Sequence, residues 1–365
     1  MRNQEKIFVI GHKNPDTDSI CSAIAYCDIK NRTSQKQRFV PKRAGQINEE
    51  TEYVLSRFGV QPPGYLSNIG TQVKDMDIRM SPDADKSMSL KAAWDIMQEN
   101  SIVSLPIRDK EGALEGLITI GDIAKTYMDT TDSYLLSRAR TQYQKIAETI
   151  HGEIIEGNPH GYFIKGRVMV GTANPDKMKE YIEEDDMIIM GDREEDHLQA
   201  IAQNVSCIIV GLGIQVTENV VKLAHEKDII IIASPYDTFT IARLINQSIP
   251  VRYIMKTDNL VTFNTEDFTD DIQDVMIKHR HRAFPVINKK GKCIGTISRR
   301  NFLGMHKKQV VLVDHNEVDQ AVDNIEKADI LEIIDHHKLG TLQTVQPISF
   351  RNQPVGCTGT LMYQI

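Results

Sequence analysis

The sequence predicts an α/β protein in which a parallel-sheet domain is interrupted by a long, duplicated insertion. Three apolar runs, KIFVI (6–10), VVLV (310–313) and ILEII (330–334), are each followed at once by polar segments rich in acidic and histidine residues. Two stretches of the insertion, 105–123 and 284–302, align without a gap. Polar strand ends that meet at one sheet edge, with a repeat between them, predict one fold that is interrupted in sequence.

Composition and charge narrow the class of protein. A chain of 365 residues with 41% hydrophobic and 25% charged residues is expected to form more than one globular domain. The net charge of −7 is spread without a basic patch, and the five irregularly spaced cysteines argue against a disulfide framework. Because no apolar run is long enough to cross a bilayer and MRNQEK lacks the core of a signal peptide, we expect a cytoplasmic location. We expect neither a membrane nor a nucleic-acid partner.

Potential metal ligands cluster where the three apolar runs end. GHKNPDTDS (11–19) follows the first run, VDHN (313–316) the second and DHH (335–337) the third. Because the carboxyl ends of parallel strands meet at one edge of a sheet, these side chains are expected to converge. The candidate ligands are His12, Asp16, Asp18, Asp314 and His336, with Asp335 and His337 as further candidates.

This donor set predicts a phosphate hydrolase. Carboxylate and imidazole ligands without a thiolate suit Mn²⁺, Co²⁺ or Mg²⁺ better than a structural zinc. Two such ions that share a carboxylate activate water and clamp phosphoryl oxygens. A helix predicted to begin at Asp18–Ser19 would also favour a nearby anion. The alternative reading is a helix-capping turn, which explains Asp18 or Ser19 but not His12 and Asp16.

Each copy of the repeat predicts a helix, a strand, a glycine turn, a second strand and a second helix. The second helix opens with the pattern G-x-x-[ST]-x-x-[DN]. The repeat resembles the CBS domain, whose pairs often bind adenine nucleotides in a cleft. This resemblance implies phosphate contacts from Thr119 and Ser298 and ribose contacts from Asp122 and Asn301. Arg282, Arg299 and Arg300 could reach phosphates in the same part of the cleft. The alternative is that Thr119 and Ser298 only cap helices and that the arginines are solvated.

Between the two copies, the apolar runs MIIMG (187–191), CIIVG (207–211) and DIIIIAS (228–234) alternate with predicted helices. This pattern predicts a small α/β domain, which resembles the DRTGG domain. The turn GLG (211–213) stands where the glycines of that family would be. A GLG turn alone is weak evidence for phosphate binding, so a ligand of this domain stays open.

The metal motifs resemble those of the DHH phosphoesterase family. VPKRAGQINEETEYVL (40–55) and PVGCTGT (354–360) resemble the family II inorganic pyrophosphatases in particular, of the type regulated by a CBS, DRTGG and CBS insertion. The resemblance implies five segments: catalytic domain 1–74, CBS domain 75–130, DRTGG-like domain 131–250, CBS domain 251–306 and catalytic domain 307–365.

The same resemblance implies a mechanism and partners. One Mn²⁺ or Co²⁺ would take His12, Asp16 and Asp314, the other Asp18, Asp314 and His336, with Mg²⁺ accompanying the substrate. Asp314 would bridge the ions, His337 would face pyrophosphate, and a hydroxide between the ions would attack phosphorus. AMP, ADP or ATP would regulate the enzyme, and the CBS domains would pair it as a homodimer.

One departure limits the activity expected of this chain. The family continues beyond PVGCTGT with a further aspartate ligand and a substrate-binding domain, whereas this sequence stops at Ile365. We therefore expect weak or no hydrolysis by the chain alone. The alternatives are a DHH phosphodiesterase acting on oligonucleotides or cyclic dinucleotides, and an adenine-nucleotide sensor with an inactive catalytic half.

Overall fold

The computed structural model describes residues 5–34, 36–128 and 132–365, which fold into two compact units. The first comprises Met1–Asp77, Glu266–His279 and Arg299–Ile365, and the second Ile78–Thr265 and Arg280–Ser298. Each unit combines segments that are distant in sequence. The prediction of an interrupted α/β fold is thereby confirmed.

The described residues form strands and helices in the following order along the chain. The strands are β1 (Glu5–Ile10), β2 (Gln37–Arg43), β3 (Gly64–Tyr65), β4 (Arg79–Met80), β5 (Ser104–Arg108), β6 (Leu114–Thr119), β7 (Thr141–Gln142), β8 (Glu153–Glu156), β9 (Tyr162–Phe163), β10 (Val168–Val170), β11 (Met187–Met190), β12 (Cys207–Val210), β13 (Ile230–Ala233), β14 (Phe263–Asn264), β15 (Phe284–Ile287), β16 (Cys293–Ile297), β17 (Gln309–Val313), β18 (Asp329–Asp335) and β19 (Ser349–Asn352). The helices are α1 (Thr17–Thr33), α2 (Glu49–Arg57), α3 (Leu90–Glu99), α4 (Ile120–Met128), α5 (Leu135–Arg138), α6 (Tyr143–Thr149), α7 (Pro175–Tyr181), α8 (Glu194–Ala202), α9 (Glu218–Glu226), α10 (Thr238–Leu244), α11 (Thr269–Lys278) and α12 (Thr358–Tyr363). Among these helices, none combines the length and the apolar character that crossing a bilayer requires.

A parallel sheet organises the first unit. Within the described residues its strand order is β19-β18-β17-β1-β2-β3, and each neighbouring pair is parallel. Because successive side chains of a strand point to opposite faces, Ile7 and Val9 pack with Tyr26 of α1 in one core, whereas Ile10 packs with Val322 in another. Both faces are therefore buried, and the polar residues occupy the ends of the strands.

The second unit holds most of the repeat and the segment between its copies. Its largest sheet has the order β10-β11-β12-β13-β8, in which β8 is antiparallel. Each repeat copy forms an antiparallel hairpin, β5 with β6 and β15 with β16. Leu105 and Ile118 of the first hairpin share a core with Ile189 and Ile209 of the large sheet. The CBS-like and DRTGG-like segments are therefore packed together.

The two copies of the repeat differ in their second helix. The first helices, α3 and α11, occupy equivalent positions of the repeat, and α4 follows β6 as predicted. After β16 there is only a 3₁₀ turn, Arg299–Phe302. The prediction of a second helix in this copy is wrong. The side chains of Arg299 and Asn301 donate to main-chain carbonyls of distant segments, which fixes the turn by tertiary contacts, and Gly304, a poor helix former, lies two residues beyond it.

Candidate metal centre and nucleotide-binding residues

The carboxyl ends of three adjacent parallel strands carry the candidate metal ligands. β1 ends at Ile10, two residues before His12, while Asp314 follows β17 and His336 follows β18. The strand order β18-β17-β1 puts the Asp314 strand in the middle. The convergence expected from the sequence is therefore present in the first unit.

Asp314 lies at the centre of this cluster. Its Oδ2 is 3.4 Å from His12 Nε2 and its Oδ1 is 3.4 Å from His336 Nε2. The side chain is 1% exposed, and its backbone has φ of +64°, which is uncommon for a residue other than glycine. Strained backbone of this kind persists only where the surrounding structure holds it, and it clusters at functional sites.

The electrostatics of the cluster fit a cation. Burial raises the pKa of Asp314, and the nearby Asp18 and Asp16 carboxylates raise it further, against hydrogen bonds that lower it. A positive ion would offset this accumulation of negative charge. In two trios of residues, the potential ligand atoms lie within 4.8 Å of one another. These trios are His12, Asp16 and Asp314, and Asp314, His336 and His337.

The loop before α1 has a different cap from the one expected. Asp16, not Asp18 or Ser19, is the N-cap, and its Oδ1 accepts from Ser19 N at 2.9 Å. The helix begins at Thr17, so the prediction of a start at Asp18–Ser19 is wrong by one to two residues, and the capping role does explain Asp16. Ser19 Oγ accepts from His12 N at 3.2 Å, and a Cβ on Gly11 would overlap that hydroxyl. A side chain at Gly11 would therefore displace the Ser19 hydroxyl from this hydrogen bond.

Asp18 is held by a segment that sequence reasoning assigned no role. Its Oδ2 accepts from Thr358 N at 2.6 Å, and its Oδ1 accepts from Gly359 N at 2.8 Å and from Ser22 Oγ at 3.1 Å. His336 Nε2 lies 3.8 Å from Asp18 Oδ2. The segment PVGCTGT contains no charged side chain, so its sequence carries no local signal of a contact with a metal ligand.

The three residues of the DHH motif make different contacts. His336 Nδ1 lies 3.0 Å from the carbonyl oxygen of Val355, which directs Nε2 toward the cluster. Asp335 is buried and accepts from Asn316 and from His337 Nδ1, the latter at 2.8 Å. Burial would raise the pKa of Asp335, but these hydrogen bonds lower it, and Asp335 in turn raises the pKa of His337 against its desolvation. Asp335 therefore orients its neighbours, and His337 is half exposed.

The candidate nucleotide-binding residues of the first repeat copy form hydrogen bonds with each other. Thr119 N and Oγ1 donate to Asp122 Oδ2 at 2.9 and 2.6 Å, and Asp122 N donates to Thr119 Oγ1 at 3.2 Å. This is the helix-capping contact held as the alternative. Asp122 Oδ1 also lies 3.5 Å from Lys256 Nζ. The carboxylate thus links the first copy to the segment that begins the second.

The candidates of the second copy are distributed over both units. Exposed Arg282 and half-buried Ser298 belong to the second unit. Arg299 and Asn301 belong to the first unit. One guanidinium nitrogen of Arg299 donates to main-chain carbonyls at the end of α11, and Asn301 Nδ2 donates to the main-chain carbonyl of Asp77.

The GLG turn after β12 does not present its amides to a ligand. Gly211 N donates to Met190 O at 3.1 Å, and Leu212 N and Gly213 N each donate at 2.8 Å, to Tyr236 O and Ser234 O. A phosphate nest needs amides that point outward. The three amides of this turn instead tie β12 to its neighbouring strand ends.

Comparison with known proteins places these features in a family. Residues 74–129 and 251–307 match the CBS domain, and residues 145–248 match the DRTGG domain. Over 98% of its length the chain is 39% identical to the cobalt-dependent inorganic pyrophosphatase of Clostridium perfringens, and over 99% it is 32% identical to a probable manganese-dependent inorganic pyrophosphatase of Thermotoga maritima. It spans 65% and 66% of the lengths of these two relatives.

A solved structure matches the regulatory part. The CBS and DRTGG domains of the Clostridium perfringens pyrophosphatase, complexed with the activator diadenosine tetraphosphate, align with a TM-score of 0.60 and 35% identity. The alignment covers 63% of this chain and 100% of the Clostridium perfringens chain. The fold and the matches together define an α/β domain that is interrupted by an insertion with CBS and DRTGG domains. The chain is a homologue of the family II inorganic pyrophosphatases, which confirms the resemblance read from its motifs.

Gly45 packs against the loop of residues 11–16, called here the ligand loop. We expect Gly45→Ala to destabilise the first unit. A Cβ there would overlap the carbonyl oxygen of Lys13 and lie 2.7 Å from Pro15 Cδ. Overpacking of this kind costs about 1–3 kcal/mol of unfolding free energy. Urea unfolding followed by circular dichroism measures the change.

Gly304→Ala is the matched control for this prediction, because nothing lies within 4 Å of its added methyl group. We expect it to change the unfolding free energy by less than about 0.5 kcal/mol. Equal stability of the two variants would contradict the packing of Gly45 against the ligand loop.

Proposed function

We propose that the cluster around Asp314 is a two-metal centre for Mn²⁺ or Co²⁺ that hydrolyses inorganic pyrophosphate to two phosphates. His12, Asp16 and Asp314 would hold one ion, and Asp18, Asp314 and His336 the other. The observation that carries the proposal is the central carboxylate, each of whose oxygens lies 3.4 Å from a different histidine Nε2. The names of the two pyrophosphatase relatives support the metal and the substrate.

The chain's own groups divide the work. When bound, two adjacent divalent ions lower the pKa of water between them and withdraw charge from phosphoryl oxygens. Buried Asp314 supplies a shared anionic ligand, while Asp18 and His336 are held in place by hydrogen bonds to main-chain groups. His337, half exposed and oriented by Asp335, is positioned to contact the anionic substrate.

Hydrolysis is best tested with a fusion, because the chain spans only 65% of its Clostridium perfringens relative. We expect the chain joined to the unmatched part of that relative to release phosphate from pyrophosphate with Mn²⁺ or Co²⁺. Asp314→Asn in the fusion removes the shared charge and should lower the rate at least about a hundredfold, beyond the usual effect of outer-shell changes.

Asp319→Asn is the matched control, because this exposed residue lies on the same loop and should leave the rate unchanged. An undiminished rate in Asp314→Asn would contradict the metal centre. A fusion that cleaves a dinucleotide phosphodiester in preference to pyrophosphate would favour the DHH phosphodiesterase alternative. Nucleotide binding that is indifferent to Mn²⁺, with no hydrolysis, would favour the sensor.

We further propose that the CBS pair binds an adenine nucleotide, which is AMP, ADP or ATP in the simplest case. The named activator of the similar regulatory structure, diadenosine tetraphosphate, supports an adenine ligand. Thr119 and Ser298 would contact phosphate, Asp122 and Asn301 ribose, and Arg282 and Arg299 further phosphates. Asp122 would exchange part of its contact with Thr119 for the ribose hydroxyls.

Asp122→Ala should weaken AMP or ADP binding roughly tenfold to a hundredfold, the worth of a hydrogen bond to a charged group. Isothermal titration calorimetry on the purified chain measures it. Lys256→Ala is the control: it removes the ion pair with Asp122 but leaves the carboxylate, so binding should change less. Unchanged affinity in Asp122→Ala would contradict the assignment.

We propose that α11 carries the nucleotide signal to the metal centre. This helix of the second CBS copy lies in the first unit, where Thr269 N donates to Thr71 O at 3.0 Å and Asp270 pairs with Lys327. Lys327 ends a 3₁₀ turn, Ile325–Lys327, whose cap Asn324 has φ of +61°. The N-terminus of α11 thus rests on a strained turn of the catalytic half.

The same turn reaches the ligand loop. Asp323, next to Asn324, pairs with Lys13 Nζ at 2.8 Å, and Lys13 N donates to Gln320 O at 2.8 Å. Lys13 directly follows His12. Contiguous contacts permit energetic coupling but do not by themselves produce it. A displacement of α11 would have to act through these pairs to alter the metal ligands.

The coupling is measured as the factor by which AMP changes Mn²⁺ affinity, expected at about 5–150-fold. Lys327→Ala and Asp270→Ala should each reduce this factor, and the double variant should reduce it no further than either single one. Arg32→Ala, which breaks an exposed pair with Asp28 on α1, is the control and should preserve the factor. Additive effects of the two substitutions would contradict a shared route.

Three further features of the protein are proposed from the sequence. We propose a homodimer formed through the CBS domains, a cytoplasmic location, and the five-segment division with boundaries at 74, 130, 250 and 306. By contacts, the predicted second CBS domain is shared between the two units.

A further inference from the structure

One short segment, Val355–Gly359, contacts every ligand proposed for one of the two ions. Val355 O lies 3.0 Å from His336 Nδ1, and Thr358 Oγ1 donates to Asp314 Oδ1 at 2.8 Å. The main-chain amides of Thr358 and Gly359 donate to the two oxygens of Asp18 at 2.6 and 2.8 Å. A segment far along the chain thus orients both carboxylates and the imidazole of a single subsite.

The two subsites are supported differently. Thr358 is fully buried at the start of α12, and its hydroxyl points at the Asp314 oxygen that faces His336. In the other subsite, the Asp16 side chain is 59% exposed and one of its oxygens caps α1. Outer contacts of this kind fix ligand orientation and tune metal affinity.

We propose that Thr358 is a positioning residue whose hydroxyl orients Asp314 for the subsite of Asp18, Asp314 and His336. A threonine at a helix start ordinarily turns its hydroxyl to its own helix, as an N-cap does. Here the hydroxyl donates to a carboxylate on another element, and no side-chain cap is made at the N-cap residue, Cys357. This inference rests on the proposed metal centre and deepens it.

The test compares Thr358→Val, which keeps the shape but removes the hydroxyl, with Thr358→Ser, which keeps the hydroxyl. Mn²⁺ binding is measured by electron paramagnetic resonance, and the visible spectrum of bound Co²⁺ reports ligand geometry. We expect Thr358→Val to weaken Mn²⁺ binding roughly 10–100-fold and to alter the Co²⁺ spectrum, and Thr358→Ser to restore both. Thr360→Val is the matched control: Thr360 lies on the same helix, and its hydroxyl faces Cys357 Sγ.

Combining Thr358→Val with a substitution in either subsite identifies the subsite on which Thr358 acts. In His12→Gln, binding depends on Asp18, Asp314 and His336, so Thr358→Val should have its larger effect there. In His336→Gln, binding depends on His12, Asp16 and Asp314, and the effect should be smaller. Equal effects in the two backgrounds would overturn the assignment of Thr358 to one subsite.

The remaining outcomes separate this inference from the proposed function. If the unsubstituted chain binds neither Mn²⁺ nor Co²⁺, the metal centre and the inference both fail. If it binds them and Thr358→Val binds equally well with the same Co²⁺ spectrum, or if Thr358→Ser is as weak as Thr358→Val, the inference alone fails. Should Thr358→Val not fold, Thr358→Ala removes the same hydroxyl without placing a methyl group against Asp314 and is read in the same way.

Discussion

The buried carboxylate of Asp314 is the constraint around which the first unit is built. It needs a left-handed backbone conformation, a position at the end of a central strand, and a histidine from the strand end on each side. Neighbouring acidic groups add to the cost of keeping it charged. The Asp314 cluster therefore concentrates negative charge that a divalent cation would offset, and in the proposed centre such a cation would let a chain of net charge −7 receive an anionic substrate.

Main-chain groups and small polar side chains, rather than further charges, hold the ligands in place. The contacts from Val355–Gly359 reach both oxygens of Asp18 and orient His336, and Asp335 performs the equivalent task for His337. Neutral donors orient a carboxylate without competing with the metal for its charge. The loop of His12 and Asp16 is instead tied to Asp323 through Lys13, and the side chain of Asp16 is more than half exposed.

The proposed coupling acts on the loop of His12 and Asp16. α11 belongs to the predicted second CBS copy by sequence, yet it lies in the first unit, and the turn whose Lys327 pairs with its Asp270 follows Asp323, which pairs with Lys13. In that proposal, a nucleotide would alter metal binding by shifting the population of arrangements of this turn. The DRTGG-like sheet, whose GLG amides are used internally, adds packing to the insertion through the core that it shares with the first hairpin.

The sequence by itself determined the α/β class, the repeat, the strand ends and the ligand types, because each leaves a local pattern in hydrophobicity or in residue chemistry. The tertiary structure alone decided that Asp16 caps α1 and that the second copy ends in a 3₁₀ turn. It also decided the contact between Thr358 and Asp18, which joins residues 340 positions apart. No local pattern can encode such a contact, since it exists only once the parallel sheet has brought its strand ends together.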